Sequence, residues 1–307
     1  MPSCLICLEK TKVGEEYHTK CLGSLFGAKE LPSLDIELSE LYKLAATKMA
    51  GKMSISGAQE KVSLVLSQDK TALEVAATGG QYILKPEGSR FSAVPQNEQL
   101  SMAMARKLSI EVPEFGLMRL KEGSIAYIIK RFDRTDGGKK IPVEDFNQLA
   151  MKKLRDKYNG SGEECVKIIR KYATETLIEM QKFYRLMLFS WWMANGDMHM
   201  KNFSLITDEA GICRLSPAYD LVCTELVIPG DTLAMPIGGR DKNFTRRKWL
   251  DFAEYCEIPK RAAERLISEQ IDALAPSIEL ISKSFLSQEM KEKYEEMIRA
   301  NTAVLNG

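Results

Sequence analysis

Asp197, His199, Lys201 and Asn202 crowd into the stretch NGDMHMKNFSL, directly behind FYRLMLFSWWMA, one of the most apolar segments of the chain. The pattern D-x-x-x-x-N, then a hairpin, then a further aspartate, Asp220, matches a geometry that places a catalytic loop and a metal-binding carboxylate on one cleft. One aspartate there accepts the proton of an attacking hydroxyl. The asparagine and the second aspartate offer hard oxygens to Mg²⁺. Upstream, SISGAQEK puts Gly57 in a small-residue loop between predicted strands, where low side-chain bulk lets backbone N–H groups approach phosphates. YILKP puts Lys85 on the next strand, a fixed positive charge for those phosphates. Singly, each has an ordinary reading: Asp197, His199 and Asn202 as a helix cap, Lys85 as a solvated edge lysine, Gly57 as a hairpin glycine. Their order along one chain favours phosphoryl transfer.

The elements that must position these residues are legible from periodicity. Val62, Leu64 and Leu66 alternate with Ser63 and Val65 as in a strand, and GGQYILKPE is a turn, a strand and a proline stop. PQNEQLSMAMARKLSI predicts a helix, with Pro95 in its first turn and Leu100, Met104 and Leu108 four apart. FGLMRLKEGSIAYIIKRFDR predicts a hairpin whose second strand runs over 125–131, and the polar turn RTDGGKK closes this β-rich half. Asp133 and Glu144 flank that turn and are expected to be solvated. The second half reads as mostly helical. TETLIEMQKFYRLMLFSWWMAN is apolar on nearly every face near its end, as a lobe's central helix is. FSLITDEAGICRLSPAYDL predicts two short strands about Gly211, with Asp220 ending the second. RKWLDFAEYC and EMKEKYEEMIRA are amphipathic helices.

Composition narrows the function classes. Basic and acidic residues balance at 43 and 42, so the basic excess of a direct nucleic-acid binder is missing. The apolar stretch 183–194 is too short for a membrane span and contains Arg185. With two histidines, His18 and His199, and no G-x-S-x-G, neither a multi-histidine catalytic zinc nor a serine-hydrolase elbow fits. Seven cysteines and no visible export signal suit reduced thiols in a cytoplasm. Cys4, Cys7, His18 and Cys21 form C-x2-C-x10-H-x2-C, a candidate tetrahedral zinc set, or else a thiol-rich cluster packed on the β lobe without metal. Cys165, Cys213, Cys223 and Cys256 read as buried small hydrophobes.

SGAQEK, YILKP, IIKRFDR, VEDFNQL, NGDMHMKNFSL and PAYDLV, in this order over about residues 53 to 222, resemble the HipA family of bacterial toxin serine/threonine kinases. The catalytic loop taken alone is equally similar to that of aminoglycoside phosphotransferases. The Ser-Ile-Ser loop and the apparent lack of an amino-terminal subdomain look closest to the short, HipT-like members. The resemblance implies an α+β, two-lobed, protein-kinase-like fold with a small β-rich N-lobe (32–133) and a larger helical C-lobe (134–307), preceded by a Cys/His appendage (1–31). It implies Asp197 as catalytic base and Asn202 and Asp220 as Mg²⁺ ligands. Gly57, Ala58, Gln59, Glu60 and Lys61 would lie over the ATP phosphates and Lys85 would bind them. Lys130 and Phe132 would belong to an adenine-contacting hinge, with His199, Lys201 and Tyr219 completing the nucleotide site. Ser54 and Ser56 match the self-phosphorylation position, although they also read as ordinary polar strand residues. Glu98 is a weaker candidate for pairing with Lys85. The metal aspartate sits in AYDLV and not in a D-F-G.

The implied activity is ATP-dependent phosphorylation of an essential cytoplasmic protein, an aminoacyl-tRNA synthetase by the family's habit. The implied partners are a small helix-turn-helix antitoxin, through which any DNA contact would run, and a separate HipS-like small protein; no membrane is involved. Two rivals stand beside this. One is a small-molecule kinase of the aminoglycoside-phosphotransferase type, which has no reason to phosphorylate itself at Ser54 or Ser56. The other is a non-enzymatic pseudokinase, whose signature would be loss of Lys85, Asp197, Asn202 or Asp220, and all four are present.

Overall fold

A computed structural model describes residues 3–41, 43, 61–88, 90–135 and 137–307, so Ser54, Ser56, Gly57, Ala58, Gln59 and Glu60 lie outside the described residues. The chain divides into two compact units. The first comprises Met1–Ala103, Pro113–Lys140 and Lys283–Leu286; the second comprises Met104–Val112, Ile141–Ser282 and Ser287–Gly307.

The first unit is built on a five-stranded antiparallel sheet ordered β2-β1-β3-β5-β4. Its strands are β1 (Val62–Leu66), β2 (Leu73–Val75), β3 (Tyr82–Pro86), β4 (Phe115–Arg119) and β5 (Ile125–Lys130). Side chains alternate across a strand, so the sheet has two distinct faces. Val62, Leu64, Leu84, Met118, Ala126 and Ile128 face one core, which they share with Cys4, Ile6, Leu22, Leu25 and Phe26. The N-terminal segment and helix α1 (Thr19–Phe26) therefore cover the sheet and do not stand apart from it. Alternation sends Lys85 and Tyr127, which are register partners, to the opposite face. Helix α2 (Val94–Lys107) begins in this unit, and the run Asn97–Ser101 is entirely enclosed although four of its five side chains are polar. Burying that much polarity is costly unless each group finds a partner.

In the second unit a three-stranded antiparallel sheet, β6 (Val143–Asp145), β7 (Ser204–Thr207) and β8 (Cys213–Leu215), accompanies the helices. These are α3 (Phe146–Leu149), α4 (Gly162–Tyr172), α5 (Thr176–Trp192), α6 (Arg246–Tyr255), α7 (Lys260–Asp272), α8 (Leu274–Lys283) and α9 (Gln288–Asn306). Helix α5 is the centre, as its all-round apolar end requires. Phe183, Tyr184, Met187, Phe189 and Trp192 are fully buried, Phe183 and Tyr184 against Phe252 and Trp249 of α6, and α9 packs on the same helix. Its end is tied down by polar bonds: Trp192 Nε1 donates to Thr302 Oγ1 (2.8 Å), and Asn301 Nδ2 to the Trp191 and Trp192 carbonyls (3.3 and 3.1 Å). Strand β8 stops at Leu215, so Asp220 lies beyond the predicted hairpin, at a left-handed φ of 55° that no strand residue adopts. Cys165, Cys223 and Cys256 are buried, and burial pushes the Cys256 thiol up to about 12, whereas Cys213 is half-buried. Among the described residues no helix is long and apolar enough to cross a membrane.

Candidate active site

Behind α5 the chain makes a polar loop on an apolar footing. Met198, Met200 and Phe203 are buried and anchor the segment, Phe203 against Phe146 and Phe183 at ring distances of 5.7 and 5.1 Å. With the apolar residues drawn inward, the Asp197 side chain stays half exposed. The loop's own bonds fix its shape. Asp197 N–H donates to Asn195 Oδ1 (3.1 Å), His199 N–H to the Asp197 carbonyl (2.8 Å), and Asn202 Nδ2 to that same carbonyl (2.8 Å). The helix-cap reading fails on these bonds. The C-cap of α5 is Met193, while Asp197 and Asn202 bond inside their own loop. Gly196 is required for close approach: a Cβ there would meet the Asp231 carboxylate and come within 2.6 Å of the Thr232 carbonyl.

His199 is enclosed beneath Asp197, its Nε2 3.9 Å from Asp197 Oδ1 and its ring edge-on to Tyr158 at 5.0 Å. Burial lowers its pKa, an effect the Asp197 carboxylate partly offsets. Tyr158 donates from Oη to Asp197 Oδ1 at 2.5 Å, and burial, followed by that carboxylate, raises its phenol. A hydroxyl thus already sits where a base would receive one. Lys201 Nζ pairs with Asp145 Oδ2 (2.6 Å), whose other oxygen caps α3 in a capping box with Gln148. Tyr219 Oη lies 2.6 Å from Ser204 Oγ and 2.9 Å from the Lys201 carbonyl. Lys201 and Tyr219 therefore brace the loop. The amide nitrogen of Asn202 is committed to Asp197, which leaves Oδ1, a hard oxygen suited to a divalent cation, as its other polar atom. With the Asp220 carboxylate in the same unit, the donor chemistry fits Mg²⁺.

In the first unit, Lys85 Nζ meets Glu98 Oε1 at 2.6 Å with both side chains almost fully enclosed, and the Tyr127 ring centroid lies 5.5 Å from the ammonium. Lys85 is no solvated edge lysine. The weaker expectation, a helix glutamate for Lys85, is realised. Lys61 is half-buried at the foot of β1. The amides of Lys130 and Arg131 already donate to the Glu114 and Gln81 carbonyls (2.7 and 2.8 Å), so hinge donors to a base must come from elsewhere. Phe132 is half-buried beside them. Asp133 departs from expectation. It is held by Arg131 (2.8 and 2.7 Å) and Arg134 (2.5 Å), and although burial opposes ionisation these two guanidinium groups keep its carboxyl below the usual range. Glu144 is exposed as expected. Cys4, Cys7, His18 and Cys21 converge, their donor atoms all within 4.8 Å of one another.

Tyr158, Asp145 and Asp231 escaped the sequence reading. Asp145 lies within the quoted VEDFNQL, but nothing in spacing ties Tyr158, 39 positions upstream, to Asp197. Tyr158, Gly196, Asp231, Thr232, Pro236 and Asp241 line a groove of about 510 Å³ within the second unit, with Gly196 next in sequence to Asp197 and two carboxylates in the lining.

The HipA-like C-terminal domain family matches residues 53–278. A Sinorhizobium fredii protein named "Putative kinase Y4dM" is 33% identical over 235 residues, covering 72% of this chain and 55% of that protein, so the chain spans about half the length of that relative. A Haemophilus influenzae protein named "Putative kinase" is 26% identical, covering 100% of this chain and 98% of that protein. Among solved structures, Shewanella oneidensis HipA, in a complex with HipB and operator DNA, superposes with a TM-score of 0.69 at 19% identity, over 89% of this chain and 73% of that one. The fold is thus kinase-like, a mixed α+β arrangement with a β-rich unit and a mainly helical one. With three-quarters of its length matched and its motifs in the family's order, the chain belongs to the HipA-like C-terminal domain family.

Proposed function

We propose that this protein is an ATP-dependent serine/threonine protein kinase of the HipA toxin type. The observation that carries the reading is the buried Lys85–Glu98 pair. Phosphoryl transfer in kinases needs a strand lysine fixed by a helix glutamate, and an ion pair enclosed this fully adds little stability in its own right. In this reading Lys85 would bind phosphate oxygens together with Lys61 and residues 57–60, and Lys130, Phe132, His199, Lys201 and Tyr219 would be further nucleotide contacts. Asp197 Oδ1 receives the acceptor hydroxyl, which displaces the Tyr158 hydroxyl now bonded there. The proton passes to that carboxylate as oxygen attacks the γ-phosphorus, and ADP leaves. Asn202 and Asp220 would hold Mg²⁺, which when bound neutralises charge on the phosphate oxygens. Neutral His199 supports Asp197 from below without adding a competing positive charge.

The substrate is an essential cytoplasmic protein, by family resemblance an aminoacyl-tRNA synthetase, and Ser54 or Ser56 is a site of self-phosphorylation. A phosphate there would add about −1.5 to −2 charges beside ATP and lower activity. A helix-turn-helix antitoxin, with a HipS-like small protein, would restrain the enzyme, and DNA would be reached only through the former. The HipB and operator DNA bound to the Shewanella protein support this partner reading. The two carboxylates that line the groove, Asp231 and Asp241, also suit a polycationic small molecule, which keeps an aminoglycoside-type phosphotransferase as the second reading. Phosphopeptide mapping after incubation with Mg²⁺ and ATP separates them. Phosphate on Ser54 or Ser56 and on a protein acceptor supports the first; an unmodified loop together with a phosphorylated aminoglycoside establishes the second.

A further inference from the structure

Among its described residues the N-terminal segment before α1 has one isolated bridge, Ser3 to Lys10, and no regular strand of its own, yet Cys4, Leu5, Ile6 and Leu8 are buried. Packing on the sheet holds this stretch, and a metal staple would add to that hold. We propose that Cys4, Cys7, His18 and Cys21 bind one structural zinc ion, and that the knuckle this fixes braces the helix carrying Glu98.

The backbone makes the turn such a site requires. Leu8 N–H returns to the Cys4 carbonyl (3.0 Å) with Leu8 in the left-handed region at φ 66°, which turns both sulfurs toward one point. His18 stands at the N-cap of α1, and Cys21 follows within its first turn, so these two also face one side. A tetrahedral zinc with thiolates at about 2.3 Å and imidazole at about 2.0–2.1 Å needs donor atoms roughly 3.5–3.8 Å apart. His18 Nδ1 lies 3.3 Å from Cys7 Sγ and 3.8 Å from Cys21 Sγ, and all four donors lie within 4.8 Å of one another, so closing the widest pair by about an ångström completes the set. The outer shell is also in place. His18 Nε2 is 3.0 Å from the Lys10 carbonyl, which can only accept, so the proton sits on Nε2 and the Nδ1 lone pair faces the sulfurs.

What the knuckle holds is as informative. Leu5 and Ile6, the residues between the first two ligands, present their carbonyls to Gln99 Nε2 at 3.4 and 3.1 Å, and Gln99 adjoins Glu98 in α2. The Leu5 carbonyl also accepts from Leu117 N–H (2.8 Å), which protects the edge of β4. Ile6 sits over Gly116, where a Cβ would come within 2.7 Å of its side chain. Fixing Cys4 and Cys7 therefore fixes the carbonyls that locate Gln99, and with it the turn of α2 that presents Glu98 to Lys85. The consequence for catalysis rests on the kinase reading above; the metal site and the brace do not.

Neither readout of the test needs turnover. Full-length protein made with zinc in the medium is assayed for metal, then followed by hydrogen exchange over residues 94–107 before and after a mercurial and chelator strip the ion. The expected result is one zinc per chain, its loss in the double variant Cys7→Ser, Cys21→Ser, and exchange near Gln99 at least about tenfold faster once metal is gone. Should the double variant not fold, His18→Cys serves: loaded with Co²⁺ it is expected to keep a thiolate-to-metal absorption band, shifted from that of the parent. Metal-free protein that gives no such band with Co²⁺, or zinc retained in full by the double variant, overturns the site. Bound zinc with α2 exchange unchanged on its removal overturns the brace.

Discussion

Removing the Glu98 carboxylate tests the arrangement that the functional reading leans on most. The Lys85 and Glu98 side chains are 4% and 0% exposed and 2.6 Å apart. Breaking a buried pair from one side costs about 3–5 kcal/mol, because the surviving charge keeps its desolvation penalty and loses its Coulombic return. The Tyr127 ring, 5.5 Å from the ammonium, and the other contacts of Lys85 are present before and after the change and cancel. Shedding the proton sets a ceiling, since neutralising an ordinary lysine at pH 7 costs about 4.6 kcal/mol. Glu98→Ala is therefore expected to destabilise the first unit by about 3–4.6 kcal/mol. The double variant Lys85→Met, Glu98→Leu removes both charges and is expected to recover most of that loss, with a coupling energy of at least about 2 kcal/mol. Urea unfolding of parent, both single variants and the double variant gives the cycle, provided the m-values agree. Losses that simply add, with coupling below about 0.5 kcal/mol, would refute the claim that these groups pair while enclosed from solvent.

Two further outcomes follow from the Asp197 loop. Tyr158→Phe removes the hydroxyl bonded to Asp197 Oδ1, so steady-state kinetics should show a lower KM for the phosphoacceptor with the KM for ATP unchanged; a higher acceptor KM would mean the tyrosine helps to bind the acceptor. Burial holds His199 neutral in the fold at a pH where an unfolded histidine, near 6.5, takes up a proton. The unfolded state then binds more protons below that pH, so the stability His199 contributes is full above about pH 6.5 and is lost as pH falls. Melting curves between about pH 7.5 and 5 should fall less steeply for His199→Gln than for the parent, and identical slopes would contradict the assignment.

The pattern of side chains foretold the parts of the fold whose burial is periodic. β3, β5 and α2 lie where alternation and four-residue spacing put them, because each presents one face to a core. The short strands β2 and β6 were illegible, since three residues such as Val143–Asp145 carry no period and pair only because β7 lies alongside. Asp220 was expected to end the second hairpin strand, but its left-handed backbone is a property of the turn and leaves no mark in hydrophobicity. The order of motifs pointed to Lys85, Asp197 and Asn202. The contacts that tune them, Glu98 on Lys85, Tyr158 on Asp197 and Asp145 on Lys201, depend on side chains meeting across loops, which spacing does not encode. The convergence of Cys4, Cys7, His18 and Cys21, and their packing on the β lobe as one of two readings, were legible in the sequence, whereas the docking through the backbone carbonyls of Leu5 and Ile6 was not, because main-chain acceptors leave no mark in residue type.

The most direct test of phosphoryl transfer from Asp197 is to incubate the protein with Mg²⁺, γ-labelled ATP and cell lysate, beside Asp197→Asn, which preserves size and removes the base. The account predicts label on a protein acceptor with the parent and a rate lower by about 10²–10⁴-fold with the variant, the usual share of a positioned general base. Equal labelling by both proteins, or no labelled product from the parent, its own chain included, would contradict it.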